Sequence, residues 1–286
     1  MILAVASGKG GTGKTTLSVS LARVMEAAVQ VADCDVEEPN AHLFLPGTET
    51  RTEVVAIPVP EVDESLCDGC GECGRFCRFH AIVSFGTKPL VFPELCHGCG
   101  GCVRVCPRKA IRETDHAIGT VETSQAGNVS LVHGRLNVGA PMAPPLIRAV
   151  KARLRNGIPA ILDAPPGTSC AVIATLRGAD FVLLVTEPTP FGWHDLKLAV
   201  EVAEFCGLDF DGGVLREADK HFVFAVAVSR HERVVEQVLA VRRRRNRKGP
   251  ARFALNRLPS QIDVGGVGHS GGGVQVFHTE IIPIPL

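Results

Sequence analysis

The sequence has no tyrosine, one tryptophan and three methionines, and aromatic residues fill only 5% of its 286 positions. No aromatic residue interrupts the basic run RRRRNRK at 242–248. That run therefore reads as a solvated helix end or linker, not as a patch for nucleic acid or anionic lipid. Net charge is also missing, because 30 Lys and Arg balance 30 Asp and Glu. The balance argues neither for nor against a charged partner. No apolar run approaches the roughly 18 residues that span a bilayer. The start, MILAVASGKGG, lacks the charged, apolar and cleavage regions of a secretory signal. A reducing cytoplasm is the expected setting. The hydrophobic fraction of 45% is enough for a sizeable core.

Cysteine, by contrast, is abundant. Eight of the eleven cysteines fall between Cys67 and Cys106. Cys67, Cys70, Cys73 and Cys77 are spaced C-x2-C-x2-C-x3-C, and Cys96, Cys99, Cys102 and Cys106 repeat that spacing with Pro107 following. The second copy is the full bacterial ferredoxin run; the first has Arg78 in place of proline. In such runs three close thiolates hold one [4Fe–4S] cube and the fourth ligates the other. Cluster one is thus expected on Cys67, Cys70, Cys73 and Cys106, and cluster two on Cys96, Cys99, Cys102 and Cys77. Zinc sites use two pairs of ligands more often than runs of four, and disulfides suit a reducing compartment poorly. His80 and His97 read as surface or packing residues, because eight cysteines complete both clusters. Cys34 and Cys206 sit at apolar positions and read as small core residues. Cys170, seven residues after Asp163, reads as a thiol at a helix start. A link through Cys170 between two subunits is the alternative.

Around this segment the pattern is α/β. Residues 2–6 and 29–33 read as strands and 14–27 as a helix, a β–loop–α–β opening that favours a parallel sheet. Strands are expected at 128–132, 135–139, 158–163 and 180–187, and helices at 145–156 and 192–206. A P-loop domain is expected over 1–57 and 119–286, with the ferredoxin-like α+β domain inserted at 58–118. The stretch 212–286 is atypical and is expected to be the least ordered part.

The loop after the first strand reads Gly8-Lys9-Gly10-Gly11-Thr12-Gly13-Lys14-Thr15-Thr16. Gly8, Gly13, Lys14 and Thr15 match the phosphate-loop pattern. Glycines let backbone N–H groups turn toward phosphates, and the helix that follows adds its positive end. Lys14 is expected on the β- and γ-phosphates of ATP and Thr15 on Mg2+.

With Lys9 as a second lysine, the loop resembles the deviant Walker A loop of the MinD/ParA/Mrp/nitrogenase iron protein class. The segments DCDVEEPN at 33–40, DAPPG at 163–167 and ADFVLLVTEPTPFGWHDLKLA from Ala179 carry the same resemblance, which covers residues 1 to about 210. With the cysteine runs added, the chain resembles MinD-superfamily P-loop ATPases containing a ferredoxin domain. The resemblance implies an ATPase that forms a homodimer on ATP binding, with Lys9 reaching the nucleotide of the other subunit. It implies that Asp35 positions the attacking water and that Asp163 holds Mg2+ through water. Asn40 fits the pattern, and Asp33 reads as structural.

Three functions follow from the resemblance: ATP-gated electron transfer through the clusters, iron–sulfur delivery of the Mrp kind, or a MinD-like partner-recruiting switch with structural clusters. The family's usual Asn-Arg pair near adenine has no counterpart in GGVLREAD at 212–219. Natural divergence or a shifted reading frame would each account for that. No amphipathic C-terminal helix of the MinD kind is evident.

Overall fold

The computed structural model describes residues 1–85, 88–187, 189–208, 222–229, 240–244 and 252–256. Numbered in chain order, the strands are β1 (Ile2–Ala6), β2 (Val29–Asp33), β3 (Thr48–Val62), β4 (Ile82–Val83), β5 (Leu90–Val91), β6 (Ile111–Ala126), β7 (Val129–Leu136), β8 (Ala160–Asp163), β9 (Phe181–Thr186), β10 (Phe222–Ser229), β11 (Ala240–Arg244) and β12 (Arg252–Asn256). The helices are α1 (Lys14–Val24), α2 (Ala41–Phe44), α3 (Glu72–Phe76), α4 (Gly101–Val105), α5 (Pro144–Lys151), α6 (Cys170–Leu176) and α7 (Pro190–Phe205).

Ten strands form one sheet in the order β12-β11-β10-β9-β1-β8-β2-β7-β6-β3. The five central strands, β9-β1-β8-β2-β7, run parallel. Parallel strands are covered on both faces and so read as continuous apolar runs, as ILAVA does; VQVAD is buried throughout although it carries Gln30 and Asp33. Alternate side chains feed two cores. On one face Val5, Val31, Leu131, Ile161 and Leu183 meet Leu17, Val19 and Ala22 of α1. On the other, Ala4, Ala32, Val132, Leu162 and Leu184 meet α5, α6 and α7 through Leu146, Ile147, Leu176, Leu196 and Ala203. The fold is thus α/β, with helices on both faces of a sheet whose centre is parallel. Outside that centre the flanks turn antiparallel, β10–β12 on one side and β6 and β3 on the other.

β3 and β6 pair antiparallel from Thr48↔Gln125 to Val62↔Ile111. At about 3.3 Å per residue, the 15 residues of β3 span about 50 Å. Both strands continue past positions 58 and 118, with a register shift that leaves Ile118 between the Val55↔Gly119 and Ala56↔Ala117 pairs, so a two-stranded ribbon joins the cysteine segment to the sheet. At its far end sit α3, α4 and the small sheet β4–β5, around a core of Cys73, Ile82, Cys102 and Ile111. Ile57, Val59, Ala81 and Cys96 belong instead to the core under α5–α7, so buried apolar packing continues from the sheet into the ribbon.

Tertiary contacts reset three expected boundaries. α1 stops at Val24, not at 27, because Met25 turns extended and Asn128 Nδ2 donates to the Met25 and Ala27 carbonyls at 2.7 and 3.0 Å. α5 stops at Lys151, not at 156: the buried Gln30 amide accepts from Arg155 N at 2.7 Å and donates to Arg155 O at 3.0 Å. The two strands expected at 128–132 and 135–139 are one strand, β7, with Gly134 in its middle. A Cβ there would stand 2.7 Å from Val36 Cγ1 and 2.9 Å from Val150 Cγ2, so α5 closes directly over the backbone. Backbone of Arg242–Arg244 lies in β11. The rest of the basic run, the stretch 212–219 and the glycine-rich segment 265–273 lie outside the described residues.

Candidate nucleotide site and cysteine cavities

β1 delivers the chain into the glycine loop at the carboxyl edge of the parallel strands, where such sheets bind ligands. Gly13 takes φ 92° immediately before Lys14 opens α1, a left-handed turn that suits glycine. Ser7 Oγ donates to Lys9 O at 2.5 Å, and Leu17 N donates to Gly13 O at 3.0 Å, setting the first helical turn. A Cβ on Gly8 would stand 2.2 Å from Asp195 O, so α7 lies directly against the loop. Cβ atoms at Gly11 and Gly13 would meet nothing within 4 Å, which leaves the loop open in front.

The three other expected residues gather on this loop. Lys14 is buried, and burial lowers its pKa against the opposing pull of Asp163 and Asp35. Asp163, at the end of β8, is 1% exposed. Its Oδ1 accepts from Ser18 Oγ at 3.0 Å, and its buried Oδ2 has no partner. Burial, with Asp33 nearby, pushes its pKa up to about 7. Asp35 is pushed up to about 6 by burial and by Asp33, with Lys14 opposing. Thr12 Oγ1 is likewise buried without a partner.

Asp33 is fully buried. Its Oδ1 accepts from Asp35 N at 3.1 Å, and its Oδ2 from Asn40 N and Ala41 N, both at 2.9 Å. One carboxylate thus shapes the loop that carries Asp35. Asn40 contributes its backbone N–H there and no side-chain cap to α2. Lys9 pairs with Glu187, which follows β9; Glu187 also accepts from Thr189 Oγ1 at 2.9 Å. Sequence reasoning missed Glu187. No local signal marks it, because the pair spans 178 positions.

The cysteine runs fold into two cavities, and the fourth member of each run changes sides. Cys67, Cys70, Cys73 and Cys106 line one cavity, with Val62, Ala110 and Ile111 at the tip of the ribbon. Cys77, Cys96, Cys99 and Cys102 line the other, of about 320 Å³, with Pro58, Pro60, Phe76 and Phe79. The exchange has a local cause. Three cysteines of each run precede or enter a single helical turn, and the fourth caps its end, at Cys77 after α3 and Cys106 after α4. Gly98 N and Ala110 N approach Cys96 Sγ and Cys106 Sγ at 3.4 and 3.3 Å. Burial raises the Cys73 and Cys96 thiols and pushes Cys102 up to about 11.

Among the described residues, no three His, Cys, Asp or Glu stand at the range of a single metal ion. The ring of His97 stacks on Phe79 with centroids 3.6 Å apart, and His80 sits at φ 54°. Cys34 and Cys206 are buried as expected, and Cys170 is exposed as the first residue of α6. No helix among the described residues is long and apolar enough to cross a membrane.

A glycine loop between a parallel strand and a helix, with a buried lysine and two carboxylates at neighbouring strand ends, defines a nucleotide-binding α/β protein of the P-loop class. Residues 3–262 match the profile of the CobQ/CobB/MinD/ParA nucleotide binding domain, and the chain belongs to that family. Two relatives from Methanocaldococcus jannaschii, the uncharacterized proteins MJ0578 and MJ0579, are 34% and 35% identical over 215 and 210 residues. The first match covers 73% of this chain and 76% of the relative, the second 71% and 76%. Among solved structures, the septum site-determining protein MinD of Pyrococcus horikoshii OT3, complexed with Mg-ADP, aligns at 20% identity and TM-score 0.37, over 72% of this chain and 65% of that one. Apo McdA from Cyanthece aligns at 19% and 0.38, over 71% and 65%. This chain thus spans just under two thirds of either structure's length. Membership rests on the family match and the two relatives.

Proposed function

We propose that this chain is an ATPase whose nucleotide state gates electron transfer through two [4Fe–4S] clusters held at the end of the ribbon. The observation that carries the reading is the pair of four-thiol cavities with their fourth cysteines exchanged. A cube of four irons takes one thiolate at each iron, so it needs thiols spread round a cavity rather than converging on one point. The donor set therefore fits the group. Cys67, Cys70, Cys73 and Cys106 would hold one cluster, and Cys77, Cys96, Cys99 and Cys102 the other. One-electron transfer is the chemistry such clusters supply when bound.

At the loop, the residues fit Mg-ATP. The backbone of Gly8–Thr16 cradles phosphates, and Lys14 lies where its charge meets theirs. A buried Asp163 oxygen and the Thr12 hydroxyl, both unpaired, suit a hydrated Mg2+ and its phosphate ligands. Thr15 would ligate the ion and Asp163 would bind it through water. Asp35, on the loop shaped by Asp33, would orient the water that attacks the γ-phosphate, so hydrolysis is positioning plus charge neutralisation. Lys9 would reach the nucleotide of a second subunit, making the working unit a homodimer. Cys96 and its neighbours Ile57, Val59 and Ala81 share a core with Val36 of the Asp35 loop. That shared packing gives the nucleotide loop a physical route to the second cavity.

The test is a redox titration of anaerobically purified protein, followed by EPR, with and without Mg-ATP. About eight irons per chain and a midpoint potential that moves with Mg-ATP are expected. Zinc or no metal in the cysteine segment would sink the reading. A potential indifferent to nucleotide would reduce it to a switch with structural clusters.

A further inference from the structure

We propose that Glu187 is a positioning residue that holds Lys9 inside its own subunit and must release it before Lys9 can serve a second copy of the chain. The inference rests on the reading of Lys9 as a residue that acts across the dimer, and it adds a partner within the subunit that no motif supplies. Lys9 Nζ pairs with Glu187 Oε1, and it makes no other ion pair among the described residues.

The carboxylate is fixed from two sides. Thr189 Oγ1 donates to the same Glu187 oxygen at 2.9 Å, and accepts from Gly192 N at 3.0 Å as the cap of α7. A Cβ on Gly192 would stand 2.3 Å from Glu187 O, so the turn from Glu187 into α7 is closely packed. α7 in turn lies against the glycine loop at Gly8, where Asp195 O leaves no room for a side chain. Loop, turn and helix therefore form one unit, and the lysine of the loop is tethered by the acid of the turn.

Both partners are partly exposed, at 33% and 40% of their side chains. A pair so placed is weak and exchanges readily for a stronger anion. Triphosphate oxygens of a facing subunit are such an anion. Glu187 thus opposes closure of the dimer until a nucleotide on the other side competes for Lys9.

The experiment measures dimer formation by sedimentation velocity against the concentration of a non-hydrolysable ATP analogue with Mg2+. Binding of a fluorescent ATP analogue is measured alongside. In E187Q, half-maximal dimerisation is expected at roughly two- to fivefold lower nucleotide than in the wild type, the range set by a partly exposed pair. E187D, which keeps the charge on a shorter arm, is expected between the two; it carries the test if E187Q does not fold. In the K9A background, the Gln substitution is expected to leave nucleotide binding unchanged, which a merely structural role for Glu187 would not predict. An E187Q protein that dimerises like wild type, or needs more nucleotide, overturns the tether. A wild type that stays monomeric with Mg-nucleotide, or a K9A variant that dimerises as readily, overturns the cross-subunit role of Lys9 itself. Those outcomes do not involve Glu187, so the two failures are separable.

Discussion

Asp163 offers the sharpest test of the nucleotide site, because its burial makes opposite demands on the empty and the loaded protein. The carboxyl sits 1% exposed with Oδ2 unpaired, and its pKa rises from 3.8 to about 7. A folded-state pKa above the unfolded one means that the protonated form favours folding. That contribution is complete below about pH 4 and is lost as pH rises through about 7. At about 1.4 kcal/mol for each tenfold change in proton affinity, the effect is at most about 4 kcal/mol. Asparagine at 163 stays neutral at every pH and still accepts from Ser18. Nucleotide-free Asp163→Asn protein should therefore match wild type near pH 4 and exceed it by a margin that grows up to about pH 7 and then levels off. For a chain this long, about 2–4 °C per kcal/mol puts the largest gain at roughly 8–16 °C. The assay is thermal melting followed by circular dichroism, in EDTA, from pH 4 to 8. Mg-ATP should then raise the melting temperature of wild type at pH 8 and leave the variant nearly unmoved. Parallel pH curves for the two proteins, or a variant less stable than wild type at pH 8, would refute the assignment.

The exchanged cysteines make a pairing test: C70A and C106A should give one altered EPR signature, and C99A and C77A the other; matching signatures for C106A and C99A would reverse the assignment. Asp33→Ala should strip three backbone N–H groups of their acceptor and destabilise the chain by roughly 2–5 kcal/mol, measured by urea unfolding; a loss under about 1 kcal/mol would mean that the loop holds its own shape. A Cβ at Gly101 would stand 2.0 Å from Phe76 Cε1, so Gly101→Ala should cost about 1–3 kcal/mol and be partly rescued by Phe76→Leu. Additive losses in that double variant would exclude the contact as the cause.

The sequence alone was enough for features whose geometry is local. A phosphate loop needs nine consecutive residues, and in the structure Gly8–Thr16 join β1 to α1, with Asp35 and Asp163 close enough to Lys14 to bear on its charge. The cysteine runs were legible for the same reason, since a helical turn ending at Cys77 or Cys106 sets where the fourth thiol points. What tertiary structure alone decided was where elements stop and what they touch. α1 and α5 end early because Asn128 and Gln30 capture chain that periodicity would have kept helical. The β3–β6 ribbon could not be read in advance, since each strand finds its partner across the whole cysteine segment. Glu187 was invisible for the plainest physical reason: an ion pair depends on distance in space, and the sheet brings Lys9 to it from 178 positions away.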